Sequence, residues 1–313
     1  MSKARKWGSV FSSTRALYRE GRRLPGYSRL DFLHGYVYSR WPYFYIGTAT
    51  GERPIPLVLR PLLRLGALLV GGRRHSPPGR SAFADSYHGK VVPLDHAERL
   101  VTLDRDVELR GIEQVIPYPI ARDIVLSHPD HIVALDCPCR VERQNPCLPL
   151  DVCLIVGEPF ASFIAEHHPK RSRWIAQTEA VEILRAEHER GHVHHAFFKD
   201  AMLGRFYAIC NCCSCCCGAM QAFAHGVPML ASSGYVASCA RDRCVACGRC
   251  VEACPFGALA VRDGALAIDT GRCMGCGVCV SKCPAAALCL VRDASKPEPL
   301  DVRELSPSTE QPV

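Results

Sequence analysis

Two stretches near the C-terminal end decide the reading: CVACGRCVEACP at residues 244–255 and CMGCGVCVSKCP at residues 273–284. Each has the form Cys-x2-Cys-x2-Cys-x3-Cys-Pro, and the second lies 29 residues after the first. Between them, Ala258-Leu259-Ala260-Val261 and Ala265-Leu266-Ala267-Ile268 flank Asp263-Gly264, a tight hairpin signal. An internal repeat of this kind predicts a pseudo-twofold unit in which each half contributes a looped run of thiols.

The spacing carries chemistry. Soft thiolates select zinc or iron–sulfur clusters, and two-residue gaps let one looped backbone wrap three corners of a cubane while its amides face the sulfurs. The fourth ligand comes from elsewhere. In such double runs the last cysteine, ahead of its proline, serves the other cluster. That assigns Cys244, Cys247, Cys250 and Cys283 to one [4Fe–4S] cluster and Cys273, Cys276, Cys279 and Cys254 to the second. Gly248, Gly275 and Gly277 suit close backbone approach. Paired zinc sites are the alternative, but zinc motifs rarely repeat four cysteines with a trailing Cys-Pro. Residues 240–290, a sixth of the chain, resemble bacterial-type dicluster ferredoxins, with all eight ligands and both prolines present.

The whole chain has 313 residues, 34.5 kDa, 48% hydrophobic residues and a mean hydropathy of +0.01, enough for a packed core. Its twenty cysteines sit in tight clusters rather than in the scattered spacing of a disulfide scaffold, and Met1–Trp7 is followed by no apolar signal core. The expectation is a reducing cytoplasm and thiolates acting as metal ligands. The net charge of +7 is unevenly spread. Residues 1–80 hold 15 Lys and Arg against Glu20, Asp31 and Glu52, a balance of +12; the remainder is at −5. Eleven of the 24 aromatics also fall at or before Tyr45. Basic residues mixed with aromatics suit an acidic protein or an anionic membrane surface, which would put the protein peripherally at the inner face of the membrane. A segment wrapping its aromatics into the core is the alternative. No nucleic-acid recognition motif is present.

Upstream lie ten further cysteines: Cys137-Pro138-Cys139-Arg140, Cys147, Cys153, and Cys210-Asn211-Cys212-Cys213-Ser214-Cys215-Cys216-Cys217. Of these Cys137, Cys139, Cys147, Cys210, Cys212 and Cys213 are the candidate ligands of a third iron–sulfur cluster, with zinc the alternative metal. Cys153 and a minority of the rest would be buried as small apolar residues. An intervening helix, folding back as half of a hairpin, would bring the two groups together across the 57 residues from Cys153 to Cys210. His192, His194, His195, His167 and His168 could ligate metal or carry protons. Arg140 could raise a cluster's potential by its charge or pair with an acid. Cys-Pro-Cys-Arg, the Thr178–Leu184 segment and Ile209–Cys213 together resemble a group of poorly characterised iron–sulfur proteins of anaerobic prokaryotes, which implies a redox role. Cys216-Cys217-Gly218 is similar to the Cys-Cys-Gly motif of heterodisulfide reductases, but the partner Cys-x-x-Cys pairs here belong to the ferredoxin runs.

The expected fold is α+β: a mainly helical Cys-rich domain followed by a small ferredoxin-like domain of two short hairpins and two helices. The expected units are 1–80, basic and aromatic-rich; 90–236, Cys-rich; 237–292, dicluster; and 293–313, a flexible tail. Locally, Pro54–Gly71 suits an interfacial or buried amphipathic helix but not a span, because Arg60, Arg64 and Pro61 interrupt it. Gly71–Gly89 reads as a linker, Ala121–His128 as a short helix and His131–Leu135 as a strand. A helix capped by Thr178 and stopped at Gly191 would present Val181, Leu184 and His188 on one face. There is no Gly-x-Gly-x-x-Gly, Walker lysine or nucleophile elbow. The function expected is an electron carrier or electron-transfer subunit serving a redox partner protein; the alternative is an oxidoreductase with catalysis at the upstream site.

Overall fold

The computed structural model describes residues 11–53, 86–118 and 123–305. Its centre is an eight-stranded sheet: β1 (Tyr87–Val92), β2 (Val107–Leu109), β3 (Ile124–Leu135), β4 (Cys153–Glu158), β5 (Ser172–Ile175), β6 (Val193–Lys199), β7 (Arg205–Cys212) and β8 (Leu230–Ala231). The strand order is β2-β3-β4-β7-β6-β1-β8, with β5 also paired to β3. All pairings are antiparallel except β1 with β8. The Cys-rich domain is therefore built on a sheet rather than mainly on helices, a correction to the expectation. Strands β1, β4, β6 and β7 are buried on both faces, so they lack a clean alternation of apolar and polar residues. Ile124–His128 likewise belongs to β3, not to a helix, and Tyr87–Gly89 opens β1 rather than ending a linker.

Side chains alternate across a strand, and that alternation divides the interior into two cores. Val133 and Leu135 of β3, Cys153 and Ile155 of β4, and Val193 and Phe197 of β6 face one side. Ile132, Ala134, Leu154, Val156, Ala196 and Phe198 face the other. The first face is covered by α1 (Ser12–Gly21), α2 (Arg29–Arg40) and α3 (Pro42–Ala49), by α6 (Phe160–His167) and α8 (Gly218–Ala224), and by the C-terminal module. The second carries α4 (Leu94–Val101) and α7 (Gln177–Glu189). Ser28 starts α2 with a capping box, exchanging hydrogen bonds with Asp31. Helix α7 begins after Ala176, two residues earlier than the expected cap at Thr178 would put it; Leu184 and His188 are buried, Val181 is half-buried, and Gly191 follows at φ +86°.

The N-terminal helices bury much of their aromatic content. Tyr38 shares a 2.7 Å hydrogen bond with Tyr207, and the Tyr27 and Tyr43 hydroxyls donate to the Ala201 and Asp136 carbonyls. Leu30, Leu33, Trp41 and Phe44 stay about half exposed on the same segment. The Pro54–Gly71 segment lies outside the described residues.

The C-terminal module comprises β9 (Tyr235–Cys239) paired with β12 (Leu288–Arg292), the hairpin β10 (Leu259–Arg262)–β11 (Ala265–Ile268), and two short helices, α9 (Arg249–Ala253) and α10 (Val278–Ser281). Asp263 and Gly264 both take positive φ (+50° and +74°) in the hairpin turn. The described part of the expected tail packs against the main domain instead of hanging free. Leu300 and Val302 enter the second core, Lys90 and Arg99 bind the Glu298 carbonyl and Asp301, and α11 (Val302–Leu305) follows.

Candidate metal centres

The two Cys-Pro runs fold into matching loops. Each opens a helix after a left-handed glycine, Gly248 before α9 and Gly277 before α10. A side chain at Gly275 would stand 2.2 Å from the Tyr235 carbonyl oxygen, so that site alone of the three requires glycine for close approach. Cys244, Cys247, Cys250 and Cys283 line one cavity with Pro284; Cys254, Cys273, Cys276 and Cys279 line the other with Pro255. The two cavities are of similar size, about 370 and 330 Å³ with their open mouths included. Backbone amides face the sulfurs in equivalent places: Ala258 N–H to Cys254 Sγ and Ala287 N–H to Cys283 Sγ, both at 3.3 Å, and Ala237 N–H to Cys273 Sγ at 3.4 Å. Such donors favour a thiolate over a thiol.

The two cavities differ in setting. Cys247 is exposed and Val245 beside it is 71% exposed. Met274, Cys276 and Val278 instead belong to the first core, together with Cys137, Cys212 and Cys217 of the main domain, and Phe256 packs against it. Burial pushes the Cys279 thiol up to about 12 and Cys276 higher still.

The ten upstream cysteines converge, but by a different route from the expected helical hairpin. Strand β4 pairs with β7 so that Cys153 lies opposite Cys210. Period-two alternation puts Cys210 and Cys212 on the same face and turns Asn211 to the other, where its Oδ1 meets His194 Nδ1 at 2.6 Å and its Nδ2 donates to the Val152 carbonyl. Cys137 caps α5 (Pro138–Val141), with Pro138 in its first turn. Cys137, Cys139, Cys153, Cys210, Cys212 and Cys217 therefore surround one apolar cavity of about 790 Å³, walled also by Tyr38, Tyr87 and Tyr207. Contact with Cys139, then burial, pushes Cys137 up to about 12; for Cys212 a contact with Cys217 pulls down, but burial together with the neighbouring Cys210, Cys137 and Cys139 outweighs it and the thiol rises to about 12. Buried thiols of this kind stay protonated until a cation compensates the charge, and their donor chemistry suits iron–sulfur or zinc.

Cys147 stays outside that cavity, and Cys213, which also lines it, stands with Cys147 in a second group. They stand with Cys215 and Cys216, four sulfurs all within 4.8 Å of one another. Of the six candidates named from sequence, five line the large cavity and two, Cys147 and Cys213, belong to the close quartet, Cys213 to both. Cys153, Cys217, Cys215 and Cys216 join them, unmarked by sequence because Cys153 sits in an apolar strand and the six-cysteine run gives no clue to which way each thiol points.

Arg140 pairs with an acid. Its guanidinium is 1% exposed and donates to Glu187 Oε2 at 2.5 Å and to the carbonyls of Pro149 and Asn211. It thereby ties the Cys-Pro-Cys-Arg turn to α7 and β7. Burial pushes the Glu187 carboxyl up, but hydrogen bonds from His192 and Arg140 outweigh it and its pKa lies below the ordinary value. None of the five histidines singled out from sequence lines the thiol cavity. His192 binds Glu187, His167 stacks on Phe163 and His168 meets the Ser39 carbonyl. His194 and His195 are buried in β6.

The repeat, the hairpin between its halves and the paired four-thiol cavities define a ferredoxin-like iron–sulfur module. Residues 243–287 match the family model described as a 4Fe-4S dicluster domain. No curated protein matches the chain. The protein is an iron–sulfur electron-transfer protein, and no helix among the described residues is long and apolar enough to cross a membrane.

Proposed function

We propose that this protein is a multi-centre electron relay: two [4Fe–4S] clusters in the C-terminal module pass electrons between a redox partner and a further cluster in the six-thiol cavity. Cys244, Cys247, Cys250 and Cys283 would hold the outer cluster, and Cys273, Cys276, Cys279 and Cys254 the inner one. Such clusters supply one-electron transfer; the chain's part is to bury, orient and hydrogen-bond them.

One observation carries the reading. The loop of the inner quartet, through Met274, Cys276 and Val278, shares a core with Cys137, Cys212 and Cys217, while Cys247 of the outer quartet meets solvent. The outer cluster is then the docking point and the inner one the bridge. A low-potential donor protein should reduce the upstream centre quickly in the wild type and slowly in Cys273→Ala, as followed by EPR of rapidly frozen samples. Equal rates would refute the relay.

An oxidoreductase with chemistry at the upstream cavity is favoured by a second observation. The cavity is larger than either ferredoxin cavity, and Tyr38, Tyr87 and Tyr207 stand in its wall beside the thiols. Catalysis there requires an open iron position. Cyanide or carbon monoxide shifting the spectrum of the upstream centre, and not those of the ferredoxin clusters, would support it. For partners, the arginines of residues 1–80 and the half-exposed Leu30, Leu33, Trp41 and Phe44 suit peripheral attachment to anionic lipid or to an acidic protein.

A further inference from the structure

We infer that Cys147, Cys213, Cys215 and Cys216 form a separate mononuclear site for one Zn²⁺ or Fe²⁺, distinct from the six-thiol cavity beside it. Metal–sulfur bonds of about 2.3 Å in a tetrahedron set sulfur–sulfur edges of roughly 3.8 Å. Here Cys147 and Cys215 stand 3.2 Å apart, Cys215 and Cys216 stand 3.7 Å apart, and no pair exceeds 4.8 Å. Among the described residues this is the one group of three or more thiols drawn in so closely. Both ferredoxin quartets are wider, as a cubane demands, because its thiolates hang outside an eight-atom core. The close quartet is therefore scaled for a single ion.

The surrounding residues hold this loop in place. Arg143 donates to the Cys216 carbonyl at 3.1 Å and to Gln221 Oε1 at 2.6 Å, and Gln221 Nε2 donates to the Cys215 carbonyl at 2.9 Å. The guanidinium also puts positive charge beside a site whose four thiolates, with a divalent ion, carry a net charge of 2−. The run thus distributes its thiols between two sites: Cys212 and Cys217 to the large cavity, Cys213, Cys215 and Cys216 to the ion. Since Cys213 and Cys216 also border the large cavity, the ion would fix the loop that walls it. Each thiol releases its proton on binding.

The test is metal and sulfide counting on the full chain purified without oxygen. Cys215 is exposed, so Cys215→Ser leaves packing intact, and Cys147→Ser is the second variant. Each should lower zinc or iron by one equivalent per chain and leave acid-labile sulfide unchanged; the element lost says which ion is bound. X-ray absorption at that metal should give sulfur neighbours at about 2.3 Å with no metal–metal shell. Loss of several irons together with sulfide would make the quartet part of a cluster. Unchanged metal content in either variant with wild-type circular dichroism, or a disulfide among these cysteines in the anaerobic protein, would overturn the site.

Discussion

Replacing Glu187 with alanine should be among the most destabilising single changes outside the thiols. Glu187 is 0% exposed and accepts from Arg140 at 2.5 Å, from His192 at 2.6 Å and from Arg190 at 2.9 Å. Removing it strands the Arg140 guanidinium among two backbone carbonyls with no counter-charge. Breaking a buried pair in this one-sided way costs about 3–5 kcal/mol, a large part of a total stability of roughly 5–15 kcal/mol. The folded-to-unfolded ratio should then fall by roughly two to three and a half orders of magnitude. Glu187→Gln keeps an acceptor and should cost about half as much, in line with the ~1.5–3 kcal/mol of a hydrogen bond to a charged group. Arg140→Met combined with Glu187→Leu removes both charges and should recover much of the loss. Anaerobic urea titrations followed by far-UV circular dichroism measure all three. Because Arg140 joins the Cys137–Cys139 turn to Asn211, iron bound upstream should leak to a chelator faster in Glu187→Ala. A cost below about 1 kcal/mol, with an unchanged denaturant slope, would refute the reasoning.

Cys254→Ala should damage the cluster held by Cys273, Cys276 and Cys279 and spare its sequence neighbour; EPR loss of the cluster of Cys244, Cys247 and Cys250 instead would undo the crossed assignment. Burial holds His194 down to about 4 and His195 to about 3. The unfolded chain takes up protons near pH 6.5 while the native state does not, so stability is intact above that pH and lost as pH falls towards 4 and 3. At pH 5 each contributes a loss of about 2 kcal/mol, measurable as a drop in urea midpoint between pH 7 and pH 5; His194→Gln should shrink that drop by roughly half, and a flat profile would count against it. Binding to vesicles containing anionic lipid should weaken as salt rises, and a chain lacking residues 1–53 should bind less; equal sedimentation with vesicles by both forms would remove the membrane proposal.

The ferredoxin-like module was legible because its chemistry is local. Cys-x2-Cys-x2-Cys-x3-Cys-Pro, twice, with Asp263-Gly264 between, encodes loops, hairpin and ligand types within about fifty residues, and the resemblance to dicluster ferredoxins completed the reading. The stop of α7 at Gly191 was legible for the same reason. The upstream fold was not. Strands buried on both faces lose the alternation that marks a sheet, so β4 and β6 gave mixed signals and the domain read as helical. The tail misled because its two anchors, Leu300 and Val302, are isolated apolar residues among prolines and charges; only the groove that receives them makes them core. Sequence alone showed ten upstream thiols in two dense groups and raised the expectation that they bind metal. Which thiols stand near one another was decided by the β4–β7 register and by the turn from Cys213 to Cys217. The register pairs Cys153 with Cys210 and the turn meets Cys147 from 68 positions away, and no local pattern records either contact.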